Sequence, residues 1–160
     1  MSAYSPYSSA AILSYPPRVV FLREFGGEKN EIYSPLNSAL VVYDIASDSY
    51  TFTLTLADIK ARFPALDIPR SSASLHTLLV SPSGNRVAFQ YGYALEPDFE
   101  SDMFVVNVIN GKVSVLGEKG KFTQWVNDFI LRYETIDTNP AVSSSGSRAA
   151  IVTRDTGVPY

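Results

Sequence analysis

The chain has 160 residues, 46% of them hydrophobic and 18% charged, and it has no cysteine. That is enough apolar material for one domain with a sizeable core, and it excludes a wholly disordered chain. Thirteen Lys and Arg against sixteen Asp and Glu give a net charge of -3 with no basic stripe, which argues against a protein that tracks phosphates; the missing thiols exclude disulfides, thiolate metal sites and a cysteine nucleophile.

In chain order, residues 1–10 are Met1 followed by Ser, Tyr, Pro and Ala, with no apolar period and no Lys or Arg. Ala10–Leu13 is too short for the apolar stretch of a signal peptide. A flexible N-terminal arm is therefore expected over 1–14, followed by a single β-repeat domain over 15–160. No window approaches the ~20 apolar residues of a membrane span, so the expected compartment is cytoplasmic. Period two then dominates. Val19–Leu22 and Ala39–Ile45 are strand-length apolar runs, and in residues 50–56 the threonines alternate with Phe52, Leu54 and Leu56. One helix is predicted near 56–63: Thr55 caps it, Asp58 follows three residues on, Leu56, Ile59 and Phe63 share a face, and Pro64 stops it. The stretch to Ser74 is a connecting loop.

Strands resume at Leu75–Val80, Val87–Tyr93, Met103–Ile109 and Val113–Leu116. Asn110-Gly111 lies between the last two, the signal of a tight hairpin with positive φ at both central residues. Phe122–Tyr133 fits a helical face as well, but its Phe, Trp, Val, Ile and Tyr favour two strands turning at Asn127-Asp128. Ala149–Thr153 is the final run. Strands at the chain ends are expected to carry unpaired edges, so Val19–Leu22 and Ala149–Thr153 should be covered by a second copy or a partner.

The chain also resembles itself. Residues 80–90 align without gaps to residues 142–152 with six of eleven positions identical, at an offset of 62. Residues 40–48 align to 103–111 at an offset of 63, and Pro17–Phe21 matches Asn85–Phe89 more weakly. Such periods indicate units that bury their faces only against neighbours, here about 17–79, 80–141 and a partial 142–160. Ser81-Pro-Ser-Gly-Asn-Arg-Val-Ala-Phe89 resembles the turn and second strand of blades in TolB-like and WD-repeat-like β-propellers, with Ser83 where Asp is usual. Val42–Asp48 resembles the third strand with its turn, and Gln124–Asp128 the Trp-x-x-Asp entry to another blade. The resemblance implies an all-β fold of antiparallel four-stranded repeats of propeller-blade type, the alternative being a β-sandwich. A closed ring needs about four to eight blades, so several chains or a partner would complete it.

Chemistry is sparse. His76, the sole histidine, sits in an apolar run and is expected to bond to a strand neighbour; no Gly-x-Ser-x-Gly elbow accompanies it. No Gly-rich phosphate loop and no metal-ligand spacing occur, so no catalytic residue, cofactor or metal is assigned. Carboxylates at Glu96, Asp98, Glu100 and Asp102 share one side of an extended segment. A solvated loop is the plain expectation, and with Tyr93 and Phe99 the same residues form a candidate docking site for a basic protein. Tyrosines in termini, loops and strand ends, among them Tyr4, Tyr7, Tyr15, Tyr33, Tyr91, Tyr93 and Tyr160, are the second candidate for contact surface. The function expected from this is a non-enzymatic protein-interaction or scaffold module that self-associates or is completed by a partner protein, with no nucleic acid. The alternatives are a structural subunit of a virion or filament, and the propeller-type accessory domain of a prolyl-oligopeptidase-like hydrolase.

Overall fold

A computed structural model of the chain describes residues 7–14, 17–23, 35–93, 100–137 and 150–158. Three antiparallel sheets follow one another. Sheet I comprises β1 (Tyr7–Ser14), β2 (Pro17–Arg23), β3 (Ala39–Asp44) and β4 (Ser49–Thr55) in that order; sheet II comprises β5 (Ser74–Val80), β6 (Arg86–Gly92), β7 (Asp102–Asn107) and β8 (Val113–Val115). Sheet III has three strands, β9 (Lys121–Asn127), β10 (Ile130–Asp137) and β11 (Ala150–Gly157). The architecture is all-β with blade-like sheets. The first strands β1, β5 and β9 pack against each other in sequence, so the sheets stand side by side about a common inner edge.

Both faces of sheet II are packed against a neighbouring sheet. Leu75, Val87, Phe89, Phe104 and Val106 meet Val20, Leu22, Leu40, Val42 and Leu54 of sheet I, while Ala88, Met103 and Val105 meet Phe122, Leu131 and Tyr133 of sheet III. This explains why Val87–Phe89 reads as a continuous apolar run rather than an alternation: every residue of β6 is buried, the polar Gln90 included. β4, with one face toward solvent, keeps the alternation.

The short helix α1 (Leu56–Arg62) lies where the residues place it. Thr55 accepts the amide of Asp58 at 3.1 Å and Asp58 accepts the amide of Thr55 at 2.9 Å, a reciprocal capping box; Leu56 and Ile59 enter the core between sheets I and II. The hairpin β7–β8 forms as well, but with a five-residue connection over 108–112. Gly111 alone takes the left-handed conformation there, at φ +73°, and its amide reaches Asn107 O at 2.8 Å; Asn110 is not left-handed. Asn107 Oδ1 accepts the amides of Ile109 and Asn110 and holds the wider turn open.

Three expectations change. The arm expected over 1–14 contains β1, in register with β2 from Tyr7↔Arg23 to Ser14↔Pro17. Its backbone ladder and Leu13, packed on the core, supply what its serines and alanines do not announce. With β1 in place, Val19–Leu22 is an interior strand and not an edge; Ala149–Thr153 falls largely in β11, which is one. The repeat at offset 63 is structural, since residues 40–44 and 103–107 are both third strands and Asp44 and Asn107 both accept amides in the following turn. The stronger match at offset 62 is not: β6 is second in its sheet, whereas β11 is third in chain order from the inner strand β9. Residues 142–149, the turn that carries most of those identities, lie outside the described residues. Among the described residues the three sheets span 7–55, 74–115 and 121–157.

Candidate functional site

The acidic segment separates into two environments. Glu96, Asp98 and Phe99 lie outside the described residues; Tyr93, 46% exposed, and Glu100 flank them at the surface. Asp102 does not join them. It opens β7 opposite Tyr91, is 7% exposed, and meets Arg70 Nη2 at 3.3 Å. Arg70 comes from the 64–73 connection and also donates to Tyr91 O at 2.9 Å, while its backbone amide donates to Tyr91 Oη at 2.8 Å and its guanidinium lies over the Tyr91 ring. Glu100 precedes the strand, whereas Asp102 opens β7, which is buried on both faces, so the start of the strand and not its alternation separates the two. Burial raises its carboxyl above the ordinary range, against the pull of the Lys119 and Arg70 charges. Tyr91, expected near contact surfaces, is fully buried in this clasp.

His76 bonds to its neighbours, as expected of a strand histidine. Nδ1 pairs with Thr77 Oγ1 at 2.8 Å and Nε2 with Ser101 Oγ at 3.0 Å. The pair spans β6, and glycine makes room for it: a Cβ on Gly92 would sit 2.1 Å from Ser101 Oγ. Ser101 has no exposed surface, so its hydroxyl as placed serves the bridge between β5 and β7. Among the described residues no group of three His, Cys, Asp or Glu could hold a metal ion, and no helix is long and apolar enough to cross a membrane.

Seams between sheets carry the motifs seen in the sequence. Trp125 Nε1 donates to Leu79 O at 3.1 Å and Asp128 accepts the Ser83 amide at 2.8 Å, so the Trp-x-x-Asp of sheet III grips the Ser-Pro-Ser-Gly turn of sheet II. That amide lowers the Asp128 carboxyl below its usual range. Gly84 at φ +76° shapes the turn, and the Arg86 guanidinium lies 4.8 Å from the Phe129 ring centroid.

The surfaces of the outer sheets are the candidate site, and they differ. On the side of sheet I away from sheet II, the register aligns Ala10 with Phe21, Ile12 with Val19, Val19 with Tyr43, and Tyr43 with Tyr50. A groove of about 430 Å³ runs among Ala10, Val19, Phe21, Tyr43 and Tyr50. Ile12 is 78% exposed and Tyr50 66%; the Tyr43 and Tyr50 rings meet edge-on at 5.3 Å. Tyr43 donates its hydroxyl to Asp48, which raises that hydroxyl's pKa. The corresponding side of sheet III aligns Lys121 with Glu134, Gln124 with Arg132, Arg132 with Asp155 and Glu134 with Thr153, and only Ile136–Ile151 is an apolar pair. Arg132 and Asp155 pair bidentately at 2.7 and 3.0 Å.

Sequence alternation missed Tyr50. Counted in twos, it belongs with Phe52 and Leu54 on the core side, but a bulge shifts the register between Val42↔Phe52 and Tyr43↔Tyr50 and turns it outward.

In fold, the chain is similar to a solved structure from a structural and mechanistic analysis of two prolyl endopeptidases and the role of inter-domain dynamics in their catalysis and specificity. The TM-score is 0.60 at 20% identity, over 97% of this chain and 21% of that one. The likeness is one of fold. This chain thus spans about a fifth of the length of the protein it matches. No family model and no curated protein matches it.

Proposed function

We infer that this chain is a propeller-type repeat unit, akin to TolB-like and WD-repeat-like blades, that acts by binding protein rather than by catalysis. The observation that carries the reading is the outward side of sheet I. A sheet apolar on both sides has the composition of an interior blade, and exposed apolar surface that is contiguous marks an interaction site. Burying Ile12 and Tyr50 there contributes on the order of 1–2 kcal/mol each. The neighbour is a second copy or another β-sheet with an apolar face, which extends the row of blades.

Light scattering on the chain and on a double variant, Ile12→Lys with Tyr50→Lys, tests this. The unmodified chain should associate, or bind a captured partner, and the variant should be monomeric with unchanged urea stability. A chain that stays monomeric and binds nothing, like its variant, sinks the reading. A second reading is favoured by the fold likeness to a prolyl endopeptidase over a fifth of that chain: an accessory blade set of a hydrolase. In that case Ile12 and Tyr50 are protected from solvent within a longer monomeric gene product.

A further inference from the structure

Asn110-Gly111 is the only Asn-Gly pair in the sequence, and Asn110 lies exposed in the connection between β7 and β8. Because glycine has no Cβ, its own amide nitrogen is open to the side chain that precedes it. That nitrogen can attack the Asn110 carboxamide carbon. In the closed turn, Gly111 N–H donates to Asn107 O at 2.8 Å, Asn110 N–H donates to Asn107 Oδ1 at 3.3 Å, and Asn110 Oδ1 accepts the Lys112 amide at 2.9 Å. The nucleophile keeps its proton and the carboxamide is held. Two of the three bonds end on Asn107, and β8 beyond the turn is a strand of three partly buried residues that pairs with β7 at three positions. Arg62 adds one bond from outside the hairpin, to Gly111 O.

We propose that Asn110 is a covalent modification site that deamidates through a succinimide, and that Asn107 sets the rate by holding the turn closed. When the turn opens, the Gly111 nitrogen loses its proton to hydroxide and bonds to Asn110 Cγ; the Cγ–Nδ2 bond breaks, and ammonia leaves with a proton taken from water. A water molecule then opens the ring at either carbonyl, giving aspartate or isoaspartate. No electrons change hands. Attack requires the open turn, so the rate follows the fraction of time the turn is open. The two products differ in what they do to the hairpin. Aspartate keeps an oxygen for the Lys112 amide, whereas isoaspartate routes the main chain through Cγ, lengthens the connection by a methylene and draws Gly111 O away from Arg62. The second product therefore loosens β8, whose Val113 and Val115 pack on the core between sheets I and II.

The test incubates the full chain at mildly alkaline pH beside a synthetic peptide of residues 107–113, the unprotected reference, and follows conversion at Asn110 by peptide mapping that separates aspartate from isoaspartate. The folded chain should convert, at a rate at least about tenfold below that of the peptide. Asn107→Ala removes the side-chain acceptor of the Ile109 and Asn110 amides and should speed conversion by about tenfold, while Asn107→Asp keeps an acceptor there and should leave the rate near that of the unmodified chain. Exchange of the Gly111 amide should accelerate together with conversion. Emission from Trp125, in sheet III, separates opening of the turn from unfolding of the chain. Conversion of the folded chain as fast as the peptide, no conversion in the folded chain, or equal rates in the two Asn107 variants would each overturn the proposal.

Discussion

At the scale of single residues, the clasp at Arg70 shows how a charge is kept inside. The Asp102 carboxyl is buried on β7 and its proton affinity is raised by that burial, so ionising it costs stability that Arg70 offsets. The sign follows from the raised value: the folded state holds the proton more tightly, so this contribution is full below about pH 4 and is lost as the pH rises through the folded value. Arg70→Met keeps the packing over Tyr91 and removes the cation. It should destabilise the chain by about 3 kcal/mol near neutrality. Lowering the pH toward about 4 should shrink that cost, because the carboxyl then takes a proton. Urea midpoints at the two pH values give the answer, and a cost independent of pH would show that the pair carries no charge coupling. Asp44, Asp58, Asp128 and Asp155 run the other way. Amides of Ser47, Thr55 and Ser83 and the Arg132 guanidinium lower them, so their contributions are lost as the pH falls through the folded values.

At the scale of elements, α1 is too short to stand alone, since helices under about 12–15 residues are marginal in water. Its cap and two core contacts hold it. Thr55→Ala removes the hydroxyl that receives the Asp58 amide and should cost about 1 kcal/mol. The loss should appear as faster exchange confined to residues 56–62, with little change in β3 or β6. Arg62, which donates to Gly111 O at 3.0 Å, ties the end of the helix to the β7–β8 turn. Disorder of that turn in the variant would mean the helix supports sheet II as well as sheet I.

At the scale of the molecule, the joints between sheets decide how the blades act together. Gln90 is fully buried on β6; its amide donates to Gly120 O at 2.9 Å and its carbonyl accepts the Phe122 amide at 2.9 Å, stitching sheet II to the start of β9. Gly120 leaves no alternative route, as a Cβ there would lie 2.3 Å from Glu134 O. Gln90→Leu keeps the bulk and leaves two buried backbone groups unpaired, at a cost of roughly 2 kcal/mol or more. Sheet III should then open first. Emission from Trp125, the only tryptophan, should change at lower urea than the amides of sheet I exchange. Coincident transitions would show instead that the three sheets unfold as one unit.

Local chemistry alone determined the all-β class, ten of the eleven described strands, the capped helix and the turns that follow β3 and β7. Period two, a Thr-x-x-Asp box and an Asx side chain act within a few residues of themselves. The candidate site was legible only in its kind. Aromatic residues and strand edges could be named as candidate contact surfaces, but no single face could be chosen among them. β1 exists because β2 offers it a ladder, although its own serines and alanines carry no period. Tyr50 faces outward because a bulge across from β3 changes its parity, and Asp102 faces inward because the 64–73 connection brings Arg70 to it from 32 residues away. The apolar side of sheet I likewise appears only once strands have partners. Which side of a strand is buried is a property of what packs against it, and that is set across the chain, not along it.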